Sequence, residues 1–160
     1  MKTIVAAAAC AAALSGVAAA QNAMGAGGMT IEEAAAILVS EGLAAELEQG
    51  GEAGKIISAV AGARFELLSV NCNGAKRCTE FLFVAGFDLA DGFPLERINA
   101  WNADAIAGRA FLDEENDPFL DHVISVSGPR DHGAFREGLY LWEAAVGEFV
   151  DFIDLPMAEA

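Results

Sequence analysis

Apolar residues along the chain follow two periods, one typical of helices and one typical of strands. Near the C-terminal end they recur at alternating spacings of four and three, which predicts an amphipathic helix over about 132–153. Its apolar stripe consists of Phe135, Leu139, Trp142, Val146, Phe149 and Ile153. A shorter stripe between Pro94 and Gly108 predicts a second helix, whose core-facing residues are Leu95, Ile98, Trp101 and Ala105. Thr30 and Glu33 form a capping box, which predicts a first helix from 31 to about 42.

The stretch from 55 to 87 has the period of two that is typical of strands. It predicts strands at 55–60, 64–72 and 78–87, with Asn73 and Gly74 in the hairpin loop between the last two. The third strand is apolar on both faces, with Phe81, Phe83, Ala85 and Phe87 on one face and Leu82 and Val84 on the other. We therefore expect a central strand with a helix or a partner subunit on each side.

A second hairpin is predicted from strands at 109–112 and 119–127 around an acidic turn at 113–118. Residues 43–48 are ambiguous: their Ala and Glu content favours a helix, whereas the glycines before and after them favour a short strand. The predicted order is α-β-β-β-α-β-β-α. This is an α+β fold, in which helices flank one antiparallel sheet.

Three features together carry a resemblance to a known family. Asn99, Trp101 and Asn102 form an N-x-W-N helix, an R-x-x-L-D strand begins at Arg109, and Trp142 lies in the last helix. This ordered set resembles the YbjN family over roughly residues 30–153. The resemblance implies a fold similar to type III secretion chaperones, which are dimers that bind partner polypeptides. It also favours a strand at 43–48, and it implies a single domain over 30–155 with a short tail at 156–160.

The first twenty residues have the composition of a secretory signal peptide: Lys2, an apolar run over 4–17 and an A-x-A site at 18–20. The run is too short for a spanning helix, which needs about 20 residues. Cys10 raises the alternative of a lipoprotein, but it lies inside the apolar run, where a small apolar residue is ordinary. We expect cleavage after residue 20, a Gly- and Ala-rich flexible leader over 21–29, and a periplasmic or secreted protein without a membrane anchor.

Cleavage would remove one lysine and no acid, leaving eight basic and 24 acidic residues and a net charge of −16. This charge repels phosphate backbones and anionic membranes, so we expect no nucleic-acid or membrane partner. The YbjN family carries the label of a sensory transduction regulator. That label would fit this chain only loosely, because the sequence carries no DNA-binding motif.

Cys72 and Cys78 are separated by five residues and flanked by apolar strands. In an oxidising compartment such a pair is expected to form a disulfide that closes the hairpin. The chain-entropy estimate for so small a loop is about 2 kcal/mol. The alternative is a reducible redox switch. The spacing does not fit a zinc site, because no second pair or nearby His completes it.

The sequence predicts no catalytic residue, cofactor or metal. A calcium loop at 113–124 is excluded, because Pro118 stands where Gly is needed and Ile124 stands where a bidentate Glu is needed. His122 shares a strand face with apolar residues, and His132 reads as a helix-boundary residue. No Ser lies in a G-x-S-x-G elbow. We therefore expect a protein that is not an enzyme.

Four residues are candidates for binding: Asn99, Trp101, Asn102 and Arg109. Trp101 falls on an apolar stripe, where core packing is the ordinary explanation. Asn102 is expected either to hydrogen-bond the backbone entering the Arg109 strand or to line a groove, and Arg109 to pair with Asp113 or Glu96. The leading hypothesis is an exported, homodimeric binding or assembly module that recognises a polypeptide; the alternatives are a small-ligand binder and an enzyme of unrecognised type.

Overall fold

The computed structural model describes residues 27–126, 128 and 131–154. The helices are α1 (Ile31–Ser40), α2 (Leu95–Asp104) and α3 (Asp131–Asp154), and the strands are β1 (Glu46–Glu48), β2 (Lys55–Val60), β3 (Ala63–Cys72), β4 (Cys78–Gly86), β5 (Arg109–Leu112) and β6 (Pro118–Ser125). The predicted α+β class is confirmed, with one strand more than the predicted order. The expected signal peptide with Cys10, the first part of the leader and the tail at 156–160 lie outside the described residues.

The six strands form one antiparallel sheet in the order β1-β2-β3-β4-β6-β5. The hairpin of β5 and β6 follows α2 and joins the sheet through β6, which pairs with β4 and leaves β5 at the edge. At the other edge, β1 pairs with β2 over three residues, so the strand interpretation of 43–48 is confirmed. The central position predicted for the 78–87 strand is also confirmed, because β4 lies between β3 and β6.

All three helices contribute to one buried cluster on a single face of the sheet. On that face Phe83 of β4 stacks on Trp142 of α3, with ring centroids 5.4 Å apart, and Phe65 of β3 meets the same indole edge-on at 5.7 Å. α3 approaches β6 closely because Gly138 of the helix has no side chain. A Cβ there would lie 2.3 Å from Cγ2 of Ile124. Among the described residues, no helix packs on the second apolar face of β4, which carries Leu82 and Val84.

The stripe predicted for α2 is only partly buried. Ile98 and Trp101 are 2% and 7% exposed, but Leu95 is 56% exposed. Leu95 is the first residue of the helix. The prediction for Leu95 is therefore wrong, because the first turn of α2 lies outside the core although it continues the periodic pattern.

The domain begins before the expected boundary at residue 30. Met29 is fully buried, and its N–H and C=O exchange hydrogen bonds with Cys78 at 2.9 and 2.7 Å. Arg77 donates to the Gly28 carbonyl. Immediately after this segment the predicted capping box is present, since Thr30 and Glu33 exchange backbone-to-side-chain hydrogen bonds. Met29 is thus a core residue and not part of a flexible leader.

The predicted disulfide is present in the structure. Cys72 and Cys78 lie directly opposite each other in the register of β3 and β4, and their sulfur atoms are joined. Between them the Asn73 side chain organises the loop, because its Oδ1 accepts from the N–H groups of Ala75 and Arg77. Cys78 is fully buried, so the disulfide anchors the end of the hairpin to the core.

Candidate functional site

Trp101 belongs to the core. Its ring meets Phe149 edge-on, with centroids 4.9 Å apart, and its Nε1 donates to the carbonyl of Gly108 at 3.2 Å. The indole therefore packs α2 against α3 and fixes the turn that leads into β5. This arrangement matches the packing explanation predicted for the residue.

Asn102 closes the outer edge of β5. Its Nδ2 donates to the carbonyl of Ala110, and its Oδ1 accepts from the N–H of the same residue, both at 2.9 Å. The side-chain amide thus takes the place of a neighbouring strand. Edge strands expose unpaired backbone groups that attract other chains, and Asn102 satisfies one such pair. The bond to the Arg109 strand, one of the two predicted roles, is present.

We expect Asn102→Leu to lower the free energy of unfolding by about 1–2 kcal/mol, because it removes two hydrogen bonds to Ala110. Asn99→Leu is the matched control, since Asn99 is an exposed residue of the same helix. Both substitutions gain the same helix propensity, so their difference isolates the β5 contact. Urea unfolding measures both. Equal stabilities of the two variants would show that the Ala110 bonds contribute nothing net.

Arg109 pairs with Asp121 and not with Asp113 or Glu96, so the expected partners are wrong. Its Nε lies 3.1 Å from Asp121 Oδ1, and Nη2 contacts the other carboxylate oxygen. The two residues face each other across β5 and β6. The hydrogen bonds that the Arg109 guanidinium donates to the Asp121 carboxylate raise the pKa of Arg109. The partner lies on the adjacent strand, a register that local sequence does not reveal.

A cleft of about 550 Å³ opens where β5 begins. We call it the β6 cleft; it is lined by Asn102, Ala105, Ile106, Ala107, Gly108, Arg109, Asp121, His122 and Val123. Two of the four predicted binding residues, Asn102 and Arg109, line it, whereas Trp101 and Asn99 do not. Two apolar residues of the cleft are uncovered, because Ile106 is 100% exposed and Val123 is 57% exposed.

The backbone of β6 is open in this cleft. The pairing of β5 with β6 ends at Asp121. Val126 donates its N–H to the Thr79 carbonyl of β4. Because backbone groups alternate in direction along a strand, the N–H and C=O of Val123, three residues earlier, point away from β4, to the side where β5 no longer pairs. Among the described residues, no backbone hydrogen bond from the 105–108 turn reaches Val123. The cleft therefore combines a free strand edge with apolar side chains.

His122 is among the residues that line the cleft, and it lies opposite Phe83 on the helix-covered face of the sheet. Burial lowers the pKa of the imidazole, and the charge of Asp121 opposes that shift. The prediction of a core-edge histidine agrees with this half-buried position.

The sequence patterns did not predict Ile106 or Val123 as residues of a binding site. Val123 could have been found, because strand alternation places it opposite to the face of Leu120 and Ile124. Ile106 gives a weaker signal: it is a large apolar residue in a four-residue turn. Neither signal predicts that the two residues line the same cleft.

A second cleft of about 480 Å³ includes Phe93, Arg97 and Ile153 in its lining. The Arg97 guanidinium lies 4.4 Å from the Phe152 ring centroid and donates to the Phe152 carbonyl at 2.6 Å. Arg97 thus ties α2 to the last turn of α3, where a cation is favourable. Its contacts are those of a residue that holds two helices together.

Neither a cluster of metal ligands nor a membrane-spanning helix occurs among the described residues. Within 27–126, 128 and 131–154, no three His, Cys, Asp or Glu side chains cluster as metal ligands. No helix in the same part of the chain is long and apolar enough to span a bilayer. The carboxylates of the acidic turn are used locally, since Asp113 accepts from the N–H groups of Glu115 and Asp117.

The described residues thus form an α+β domain with helices on one face of the sheet and an open cleft at a strand edge. The chain belongs to the YbjN family, whose model, described as "Putative bacterial sensory transduction regulator", matches residues 30–155. This description is of a regulator and not of an enzyme family, which is consistent with a non-enzymatic module. No curated protein and no solved structure matches the chain.

Proposed function

We propose that this protein is an exported, non-enzymatic binding module that holds a segment of a partner polypeptide in the β6 cleft. The observation that carries the proposal is the open edge of β6 at Val123 beside the fully exposed side chain of Ile106. An extended segment can hydrogen-bond such an edge while one of its apolar side chains covers the exposed residues.

The shape of the cleft favours a polypeptide over a small molecule. Small-ligand sites are concave and bury most of the ligand surface. The β6 cleft is bounded by the 105–108 turn and by the edge of β6, and it is open along the strand. Trp101, which would have supplied an aromatic wall for a small ligand, lies in the core instead.

Export is part of the proposal. The composition of residues 1–20 supports it, as does the disulfide between Cys72 and Cys78, because such bonds persist in oxidising compartments. The partner would then be a protein of the periplasm or of the cell exterior. The strong negative charge suits a partner segment that is apolar or basic.

Affinity capture from periplasmic extract tests the proposal, with retained proteins quantified by mass spectrometry. Ile106→Asp should reduce the retained partner at least about tenfold, because it places a charge where an apolar contact forms. Val39→Asp is the matched control: Val39 is 61% exposed on α1, and its substitution should leave capture unchanged.

Two results would contradict the proposal. One is capture of the same partner by Ile106→Asp and by the wild-type protein in equal amount. The other is an extract in which the wild-type protein retains no protein, while native mass spectrometry shows a bound small molecule. The second result would support the small-ligand alternative.

A further inference from the structure

We propose that the second cleft, between the start of α2 and the end of α3, binds a free amino acid with an apolar side chain. We call it the Arg97 cleft. Its lining combines two groups of opposite charge, Arg97 and Asp91, with the amide of Asn116 and an apolar wall. The inference goes beyond the proposed function, because it concerns another part of the domain and a small ligand.

The Arg97 guanidinium is held in place and keeps most of its hydrogen-bond donors. Its carbon lies 4.4 Å from the ring centroid of Phe152 and 5.4 Å from that of Phe93. Nη2 donates to the Phe152 carbonyl, and this is the one hydrogen bond of the guanidinium within the described residues. Four of the five N–H donors of the side chain are therefore open to a ligand. A guanidinium pairs with a carboxylate through two parallel hydrogen bonds.

Arg97 has no carboxylate partner among the described residues, although the chain contains 24 acids and nine bases. None of the five ion pairs between described residues includes Arg97 or Asp91. Both residues nevertheless line the same cleft. A ligand that carries a carboxylate and an ammonium group can contact both, and this is the charge pattern of a free amino acid.

Apolar residues provide a surface for the side chain of the ligand. Leu89, Phe93 and Ile153 line the cleft and are half-buried. An aliphatic or aromatic side chain placed against them would remove this surface from water. The volume of about 480 Å³ lies within the range of about 300–1,000 Å³ that is typical of small-ligand sites.

The 91–93 turn is built closely against Asn116. The Phe93 N–H donates to the Asn116 carbonyl at 2.9 Å. Gly92 has a φ of 66°, and a Cβ there would lie 3.0 Å from Cβ of Asn116. The side-chain amide of Asn116 makes no hydrogen bond within the described residues. It can therefore supply a further hydrogen bond to a ligand that is held by Arg97.

The charge of the chain favours a zwitterion over a simple anion. A net charge of −15 lowers the concentration of anions near the protein surface. An amino acid with an apolar side chain has no net charge at neutral pH, so this repulsion is absent. Its ammonium group also gains the contact with Asp91, which a simple carboxylate lacks.

Isothermal titration calorimetry of the purified protein with L-leucine tests the inference. We expect a Kd below about 1 mM. Two analogues keep the carbon skeleton but only one charge: 4-methylpentanoate lacks the amino group, and 3-methylbutylamine lacks the carboxylate. The Kd of each should be at least about tenfold higher than that of leucine, because one charge-assisted contact is lost.

Asp91→Asn separates the two charged contacts. It should raise the Kd of leucine at least about tenfold without weakening 4-methylpentanoate, because only the ammonium group meets Asp91. Asp91 is exposed, so the substitution leaves the fold intact. Asp88→Asn is the matched control, since Asp88 is a nearby exposed residue that does not line the cleft.

Arg97→Gln should weaken leucine and 4-methylpentanoate alike, each at least about tenfold, because both ligands lose the carboxylate contact. Arg64→Gln is the matched control: Arg64 is exposed, lies on β3 and does not line the cleft. Thermal unfolding of each variant checks that the fold is intact.

Three results would overturn the inference. The first is a Kd above about 1 mM for leucine, isoleucine, valine and phenylalanine alike. The second is binding of 4-methylpentanoate as tight as that of leucine, and the third is a folded Asp91→Asn variant that binds leucine like the wild-type protein. Ile106 does not line the Arg97 cleft, so Ile106→Asp should keep the wild-type Kd for leucine. Failure of this inference and failure of the proposed function are therefore distinguishable.

Discussion

Trp142→Ala should lower the free energy of unfolding by about 3–5 kcal/mol, the largest effect expected of a single substitution here. The indole is fully buried between the sheet and α3. It stacks on Phe83 and meets Phe65 edge-on, so its removal leaves a cavity among rigid aromatic rings. Urea unfolding followed by circular dichroism measures the loss, and the wild-type protein and the variant should show the same slope against denaturant.

Trp142→Phe separates the packing of the ring from the polarity of its N–H. Within the described residues, the Trp142 Nε1 atom is buried and has no hydrogen-bond partner. A phenyl ring keeps part of the packing and removes that donor, so we expect a cost below about 1.5 kcal/mol. A cost equal to that of the alanine variant would mean that the N–H makes an interaction which stabilises the core.

The last helix was predicted well because its signal is local. Five residues of its stripe are fully buried: Phe135, Leu139, Trp142, Val146 and Phe149. Six apolar residues at helical spacing define one face regardless of the partner. Leu95 shows the limit of the same reasoning, because periodicity identifies the face of a helix but not how far the core extends along it.

The sequence predicted two residues of the candidate site, Asn102 and Arg109, but not how the site is arranged. Asn102 was expected to reach the strand that begins at Arg109, and a short connection forces that proximity. The partner of Arg109 was missed, because Asp121 lies twelve residues away and only the register of the hairpin brings it near. The binding role of these residues stays a prediction that the capture experiment addresses.

The β6 cleft originates in the different lengths of two neighbouring strands. β5 pairs with β6 only from Pro118 to Asp121, and β6 continues to Ser125. The backbone of Val123 is therefore left at a free edge. Within the described part of the chain, the three helices pack on the sheet face opposite to Leu82 and Val84. The sequence predicted the second apolar face of β4, but whether a helix covers it is a matter of tertiary packing.

Reduction of the Cys72–Cys78 disulfide should lower the free energy of unfolding by about 2 kcal/mol, because it releases a closed loop in the unfolded chain. The effect should extend beyond the hairpin. Cys78 exchanges two backbone hydrogen bonds with Met29, and Arg77 pairs with Glu33 at 3.2 Å. Amide exchange at Met29 and Cys78 should therefore accelerate on reduction more than exchange in α3. Urea unfolding with and without a reductant gives the stability change.

Cys72→Ala is the matched variant for this experiment, because Cys72 is only half-buried whereas Cys78 is a core residue. The variant without reductant should match the reduced wild-type protein, and adding reductant to the variant should change nothing. Cys78→Ala should cost more than Cys72→Ala, since it also removes a buried side chain. If the intact mass of the protein isolated from its native source shows two free thiols, the disulfide is absent there, and the proposal of export loses one of its supports.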